Sequence, residues 1–530
     1  MGNLFFETSK EIANEFLQNI VFIDDKAYLD EERNSHEFNA LEMTQVFAKS
    51  QKVCAVYKPK TLGDIDNLAQ LAKKADITVI DWQLNIKENE EQESSEEDVG
   101  EDGPHTRKII SEILTNPLTG QRSLKLILIY TGETNLYNIT DAIFDDLTKQ
   151  GIKGLQTEDC TVFTDNIKIL VVAKPSADEK DIETRFKHLP KLNEKVVKYE
   201  NLPDFILVEF TKMTSGLLSN FVLQSLTALR DNTFNLLNTF DKSLDPAFLA
   251  HKALLSAPND ASDQILEVLG SEIKSLLINF NTTEAISKDS IMQYVESTIE
   301  EGEFAFDLPE KEKFKSIELP EMLDRNLLIE FCHRGIENIL IRNDAPSNES
   351  SLFAAVCHKV LTKYYLHGAI TENESNTKLA LLTSVKSVYN KEYMPLLTLG
   401  TITTYKEEYW ICITPKCDCT RIKGSRNILF AHLKLVELTK RFDFILKRDD
   451  NYLYFKVDYS IHKTRPFSLK GNADGAIKAV TDNKKNIFKG GSILEWLGEL
   501  KSDFAQSIAN NFSSQLARVG MDHSEWLRRS

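Results

Sequence analysis

The chain has 530 residues, with 63 Lys and Arg against 80 Asp and Glu, and a net charge of −17. That balance disfavours general nucleic-acid binding, which needs a basic surface. No apolar run approaches the roughly 18 residues that cross a bilayer, and seven irregularly spaced cysteines argue against a disulfide framework and for a reducing, cytoplasmic setting.

The chain starts Met1-Gly2-Asn3-Leu4-Phe5-Phe6, without the basic start and long apolar core of a signal peptide. Phe6 stands where a myristoylation motif wants Ser or Thr. Four short apolar runs follow, each ending in polar residues. Ile20 to Ile23 precedes Asp24 and Asp25, and Ile77 to Ile80 precedes Asp81. Leu124 to Tyr130 ends at Thr131, and Ile167 to Ala173 ends at Lys174-Pro175. Short β-branched runs with helical patterns between them predict buried strands of a parallel sheet. The carboxyl ends of such strands open onto one crevice, so three carboxylates, a hydroxyl and an ammonium converge there.

Those residue types suit a divalent cation and a phosphoryl group. Asp81 is placed to act as a nucleophile and carry an aspartyl phosphate. At about 4 Å and an effective dielectric near 20, each like-charge pair among Asp24, Asp25 and Asp81 costs roughly 4 kcal/mol. A hard cation relieves this, and Mg²⁺ favours one or two carboxylates with water and phosphate oxygens. Lys174 supplies positive charge for phosphoryl oxygens, and Thr131 a hydroxyl donor.

Residues 20–175 resemble the receiver domain of two-component response regulators. The resemblance rests on Asp24-Asp25, Asp81, Thr131 and Lys174-Pro175, with Asp81-Trp82-Gln83-Leu84 similar to the family's acceptor loop. It implies a doubly wound five-stranded parallel sheet with Asp81 as phospho-acceptor. Asp24, Asp25, Asp81 and the backbone carbonyl of Gln83 become Mg²⁺ ligands, and Thr131, Gly132 and Lys174 meet the phosphoryl group. Gln83 and Glu133 occupy positions that tune dephosphorylation in the family, and the partner it implies is a histidine kinase. The sequence departs from the family at three points. Val171 stands where many receivers carry a switching aromatic, Asn85 replaces a common Pro, and the domain is long, with extra strand material expected near Cys160 to Asn166.

The insertion 87–103 includes Glu88 to Asp102, with nine acids beside Ser94 and Ser95. Such charge density predicts disorder. It serves either as a tolerated surface insertion or as a tether for a basic region. Residues 401–530 supply one candidate, with 22 Lys and Arg against 15 Asp and Glu. That excess is scattered, and Lys484-Lys485 is its densest cluster.

From about residue 200 the spacing turns helical. Leu218, Val222, Leu226, Leu229, Leu236 and Phe240 read as a core-packing stripe or as a dimerisation helix. Further helices are expected around 265–280, 290–300, 327–341, 352–365 and 379–389, with Ser262 and Asp289 as starts. The chain therefore divides into a receiver (1–195), an all-helical domain (200–392) and a small α+β domain (393–530). In the last, Glu408 to Thr414 and Tyr452 to Val457 read as strands. Leu429 to Thr439 reads as a helix, and Ile493 to Trp526 as one or two terminal helices. Cys412, Cys417 and Cys419, with Cys332-His333 and Cys357-His358, offer thiolates and imidazoles for Zn²⁺, but no zinc-ligand spacing. Buried cysteines acting as small hydrophobes account for them as well.

No nucleotide-binding glycine loop, metalloprotease or hydrolase signature is present, and no helix-turn-helix follows the receiver. The layout resembles receiver proteins without an effector domain in Detocs-type anti-phage signalling systems. Segments such as Leu202-Pro203-Asp204 and Leu244-Asp245-Pro246-Ala247-Phe248 carry part of that likeness. It implies a phosphate sink or a protein–protein regulator, with a partner effector and a homodimer as candidate contacts. In that reading the chain is not an enzyme beyond phosphorylation and dephosphorylation of its own Asp81. The alternative is a receiver-gated enzyme or nucleic-acid binder built around Cys417, Asp418 and His432.

Overall fold

In a computed structural model of the protein, the described residues are 4–28, 39–86, 103–114, 124–175, 195–309, 313–315, 317–358, 360–368, 370–390, 392–438, 441–448 and 451–516. The acidic run and the last fourteen residues lie outside them. The chain divides into two compact units interleaved in sequence. One comprises 1–241, 268–304 and 322–339, the other 242–267, 305–321 and 340–530. Residues 200–392 are thus shared between the two. Among the described residues, no helix is long and apolar enough to cross a membrane.

The first unit is built on a seven-stranded sheet. Helix α1 (Leu4–Phe16) leads to β1 (Asn19–Ile23), α2 (Ala40–Lys49), β2 (Val53–Tyr57), α3 (Leu62–Lys74) and β3 (Ile77–Ile80). Then come α4 (Pro104–Leu114), β4 (Lys125–Thr131), α5 (Leu136–Lys149), β5 (Gln156–Glu158), β6 (Thr161–Phe163) and β7 (Ile167–Ala173). Strand order is β2-β1-β3-β4-β7-β6-β5. The five strands β1–β4 and β7 are parallel, whereas β5 and β6 add an antiparallel ribbon at the edge. The expected five-stranded sheet is therefore a seven-stranded mixed one. Of the added pair, β6 lies in the stretch where extra strand material was expected, and β5 just before it.

Parallel strands are buried on both faces, which explains their unbroken apolar runs. Ile23, Ile65, Ile80, Ile109, Ile129 and Ile143 belong to the core on one face, and Phe22, Met43, Phe47, Leu128 and Tyr130 to that on the other. Local signals fix the helix starts. Asn39 accepts from the Glu42 amide, and Thr61 and Asp64 form a reciprocal capping box.

Beyond the sheet, α6 (Leu202–Thr214) and α7 (Leu217–Asp231) pack against α1. The stripe Leu218, Val222 and Leu226, read as core-packing, is 58%, 48% and 41% exposed. Instead α7 buries Asn220, Leu223, Ser225, Thr227 and Ala228, and the Asn220 side-chain amide donates to Ser9 Oγ at 2.9 Å. A small, partly polar face thus faces α1, and the apolar stripe points outward.

Helices also span Asp260–Asn279, Lys288–Thr298, Arg325–Arg334, Ser347–Cys357 and Glu372–Ser384. The Lys288 helix is capped by Ser287, which accepts from the Ser290 amide. A two-stranded ribbon, Glu303–Ala305 with Met322–Asp324, interrupts the stretch expected to be wholly helical.

The second unit carries a nine-stranded antiparallel sheet. The strand Ser425–Val436 pairs with Glu408–Cys412, Asn451–Val457 and Thr464–Lys470. This corrects the helix expected over Leu429 to Thr439. Ile428 and Phe430 are buried while Leu429 is 41% exposed, and that alternation is a strand's. Leu494–Glu499 is likewise a strand, and only Ser502–Leu516 of the expected terminal helices is helical among the described residues.

Candidate functional site

The sheet's register sets the site. Ile20 to Ile23 of β1 lie beside Ile77 to Ile80 of β3, so Asp24 and Asp81 leave adjacent strands at one edge. Thr131 closes β4 opposite Ala173 of β7, which puts Lys174 next in line. The order of neighbours reverses at β1 and β3, and such switch points form ligand crevices in open α/β sheets.

Asp24, Asp81, Thr131 and Lys174 are buried and Asp25 is half-buried. The Lys174 ammonium donates to Asp24 Oδ2 at 2.7 Å and to Asp81 Oδ1 at 3.0 Å. Asp24 Oδ1 accepts from the Lys26 amide at 2.8 Å. Asp25 Oδ2 accepts from the backbone and side-chain amides of Asn85, each at 3.2 Å. Its Oδ1 is buried without a partner. Burial pushes the Asp81 carboxyl up to about 6, against the opposing pull of Lys174 and with Asp24 and Asp25 adding to the rise. Burial works against the Lys174 charge, yet Asp24 and Asp81 outweigh it and raise the ammonium above the usual lysine range.

One ligand atom each from Asp24, Asp25 and Asp81 lies within 4.8 Å of the others, the one such grouping of three acidic or soft ligands among the described residues. Orphaned Asp25 Oδ1 and two oxygen-rich neighbours fit a hard divalent cation. Such an ion supplies charge neutralisation at the carboxylates and at incoming phosphoryl oxygens. The chain's own groups do the rest. Lys174 holds Asp24 and Asp81 together, and the Thr131 hydroxyl accepts from the Glu133 amide at 3.1 Å. Gly132 and Glu133 lead from the edge into α5, and a Cβ on Gly132 meets nothing within 4 Å.

Three residues to which sequence reasoning gave no role of their own shape the acceptor loop. Trp82 is fully buried. The Thr106 hydroxyl, in the first turn of α4, donates to the Asp81 carbonyl at 2.7 Å. Gly103 has φ +65, and a Cβ there would stand 2.5 Å from the Trp82 ring. Gly103-Pro104 before a helical pattern is a legible helix start, but its partner across the acidic run is not. Gly103→Ala combines backbone strain with a collision against a fixed indole. It is expected to cost about 2 kcal/mol or more, read as a lower denaturation midpoint with altered Trp82 fluorescence.

The cysteines are dispersed. Cys412 and Cys419 are buried with their sulfurs 4.0 Å apart, and burial pushes the Cys412 thiol well up. Cys417 and Cys332 are exposed, Cys357 is buried, and no disulfide joins any of the seven. Exposure of Cys332 corrects its reading as a small buried hydrophobe. The His432 ring packs edge-on against Trp410, with centroids 5.2 Å apart. Cys417, Asp418 and His432 do not form a three-ligand cluster, and Asp418 pairs with Arg426.

Comparison with known families agrees with the aspartate edge. Residues 16–179 match the response receiver domain family. The match covers under a third of the chain and supports a receiver domain with a response-regulator-like, phosphoryl-accepting signalling role. Its bounds take in β1 through β7 and all five candidate side chains at the strand ends. No curated protein and no solved structure matches the chain.

Proposed function

We propose that the receiver domain accepts a phosphoryl group on Asp81 from a histidine kinase, with Mg²⁺ held by Asp24, Asp25, Asp81 and the Gln83 carbonyl. The observation that carries this reading is the Lys174 ammonium bonded to both Asp24 and Asp81 beside the unpaired Asp25 oxygen. An Asp81 oxygen attacks the phosphorus and the leaving group departs with its electron pair. Lys174 and the Thr131 hydroxyl then turn to the new phosphoryl oxygens, with the Gly132 backbone beside them. Gln83 and Glu133 set the access of water and hence the lifetime of the phosphoryl group.

Output proceeds through protein–protein contact, or is limited to drawing phosphoryl groups from the kinase. The outward stripe Leu218, Val222 and Leu226 supports contact, with a partner effector or a second copy as candidates. The wider setting belongs to the same proposal: a cytoplasmic component of an anti-phage signalling system. Phage challenge of cells carrying wild type or Asp81→Ala tests that setting.

The direct test is intact mass spectrometry after incubation with Mg²⁺ and acetyl phosphate. A single phosphoryl adduct, labile to hydroxylamine and lost in Asp81→Ala, is the expected result. A wild-type adduct that persists unchanged in Asp81→Ala would overturn the assignment of the acceptor.

A further inference from the structure

A buried tyrosine, Tyr130, and a half-buried one, Tyr199, lie just behind the phosphoryl-binding edge and are not used by the chemistry. Tyr130 immediately precedes Thr131, and its hydroxyl donates to the Val197 carbonyl at 2.7 Å. The Val197 amide donates to the Ala173 carbonyl at 3.2 Å, immediately before Lys174, and Val196 forms a parallel bridge with Ala173. Tyr199 packs edge-on against Tyr130, with centroids 5.9 Å apart. The segment 196–199 is therefore fastened to the residue before Thr131 and to the residue before Lys174.

That segment runs directly into α6. The helix is itself tied to the sheet, because Lys168 on β7 pairs with Glu209 at 2.5 Å. Leu202, Ile206 and Phe210 of α6 share a core with Tyr130 and Val172. Phe210 also stacks on Phe16 of α1 at 5.8 Å. Burial pushes the Tyr199 hydroxyl up to about 12, with Lys174 opposing and Asp24, Glu42 and Asp81 adding, so the ring lies within the field of the site. At the place in β7 where receivers often carry an aromatic, Val171 is a fully packed core residue with no polar atom to report a change.

We propose that Tyr130 and Tyr199, through the 196–199 segment, transmit phosphoryl occupancy at Asp81 to α6 and the helical layer. This rests on the receiver reading above. When Thr131 and Lys174 turn toward phosphoryl oxygens, Tyr130 and Ala173 move with them. The hydrogen bonds to Val197 cannot both keep their lengths, so the segment shifts and carries the start of α6.

The test is amide hydrogen exchange on the full chain with Mg²⁺, with and without acetyl phosphate, and adduct occupancy read by intact mass on the same samples. Wild type is expected to change exchange across 195–214 by at least about fivefold on phosphorylation, the low end of measured couplings. Tyr130→Phe removes only the hydroxyl. It is expected to form the adduct normally while the phosphorylation-dependent change falls below about twofold. Tyr199→Leu, which removes the edge-on ring, serves as the second variant. If Tyr130→Phe raises exchange equally in both states and leaves the ratio intact, the tyrosine is merely structural and the proposal fails. An unchanged 195–214 in fully phosphorylated wild type overturns it as well. Absence of any wild-type adduct, seen by mass before exchange is read, overturns the phosphoryl-acceptor reading and this proposal with it.

Discussion

Asp81→Asn is expected to unfold at a higher temperature than wild type in metal-free buffer at pH 7.5, and to lose that advantage near pH 4. Burial drives the shift of Asp81, helped by Asp24 and Asp25 and opposed by Lys174. A carboxyl pushed up to about 6 in the folded state, against about 3.9 in the unfolded chain, binds its proton more tightly when folded. The associated stability is fully present below about pH 4 and is lost as pH rises through 6. Above that, the charged wild type has given up on the order of 3 kcal/mol, whereas the neutral Asn has not. Its carbonyl still accepts from Lys174, so the ion pair with Asp24 keeps its place. For a domain of this size a gain of about 2 kcal/mol corresponds to roughly 4–8 °C.

Millimolar Mg²⁺ is expected to narrow the difference, because an ion that binds the folded carboxylates stabilises wild type by mass action. Thermal melts at pH 4.5 and 7.5, each with chelator and with Mg²⁺, check all three statements. An Asn variant with the same advantage at both pH values would mean that the gain comes from packing and not from the carboxyl's charge. A gap that ignores Mg²⁺ would mean that the cation does not reach Asp81.

The aspartate edge was legible because its logic is local and repeated. Each strand is a short apolar run, each reactive residue follows within one or two positions, and parallel register brings them together without further information. The 81–86 loop was only half legible. Asp81 stands out after its strand, but Trp82, Gly103 and Thr106 meet across an acidic run whose length hides their contact. Tyr130 and Tyr199 are 69 positions apart, with α5 and the strands β5, β6 and β7 between them, so only the fold reveals their pairing.

Elsewhere, periodicity misled for identifiable reasons. Leu429, Leu433 and Val436 have helical spacing, yet Ile428 and Phe430 point to one core and Ala431 and Leu433 to the one on the other face. Partner strands on both edges decide that competition, and they come from positions as far away as Lys470, which pairs with Ser425. On α7 the helix was legible, and of the two readings of its stripe the core-packing one fails, because Leu218, Val222 and Leu226 are exposed. Burial of Asn220 follows from packing on α1, where Ser9 answers its amide, and the turn at Thr282–Ile286 also packs against α7. Apolar spacing identifies a face; it does not say what covers it.

Lys174→Ala carries the largest expected loss of stability. The side chain is 7% exposed and bonded to two carboxylates that are themselves buried. Removing one partner of such a cluster leaves charges without compensation, at a cost of about 3–5 kcal/mol. Here the residue removed is the cation, and Asp24, Asp25 and Asp81 remain as three like charges within 4.8 Å. The variant is therefore expected to melt far below wild type at pH 7.5 with chelator. It should recover at low pH, where protonation removes the repulsion, and partly recover with Mg²⁺. Lys174→Arg keeps the charge but not the compact ammonium geometry, and should fall between the two. The double variant Lys174→Ala with Asp81→Asn supplies the decisive comparison. Independent effects would add, leaving the double variant above Lys174→Ala by only the gain that Asp81→Asn gives the wild type, whereas a shared electrostatic cause predicts an excess beyond that sum, by a coupling of about 1–3 kcal/mol. An additive result would place the role of Lys174 in packing against Tyr130, whose ring centroid lies 5.9 Å from the ammonium, and not in holding the carboxylates.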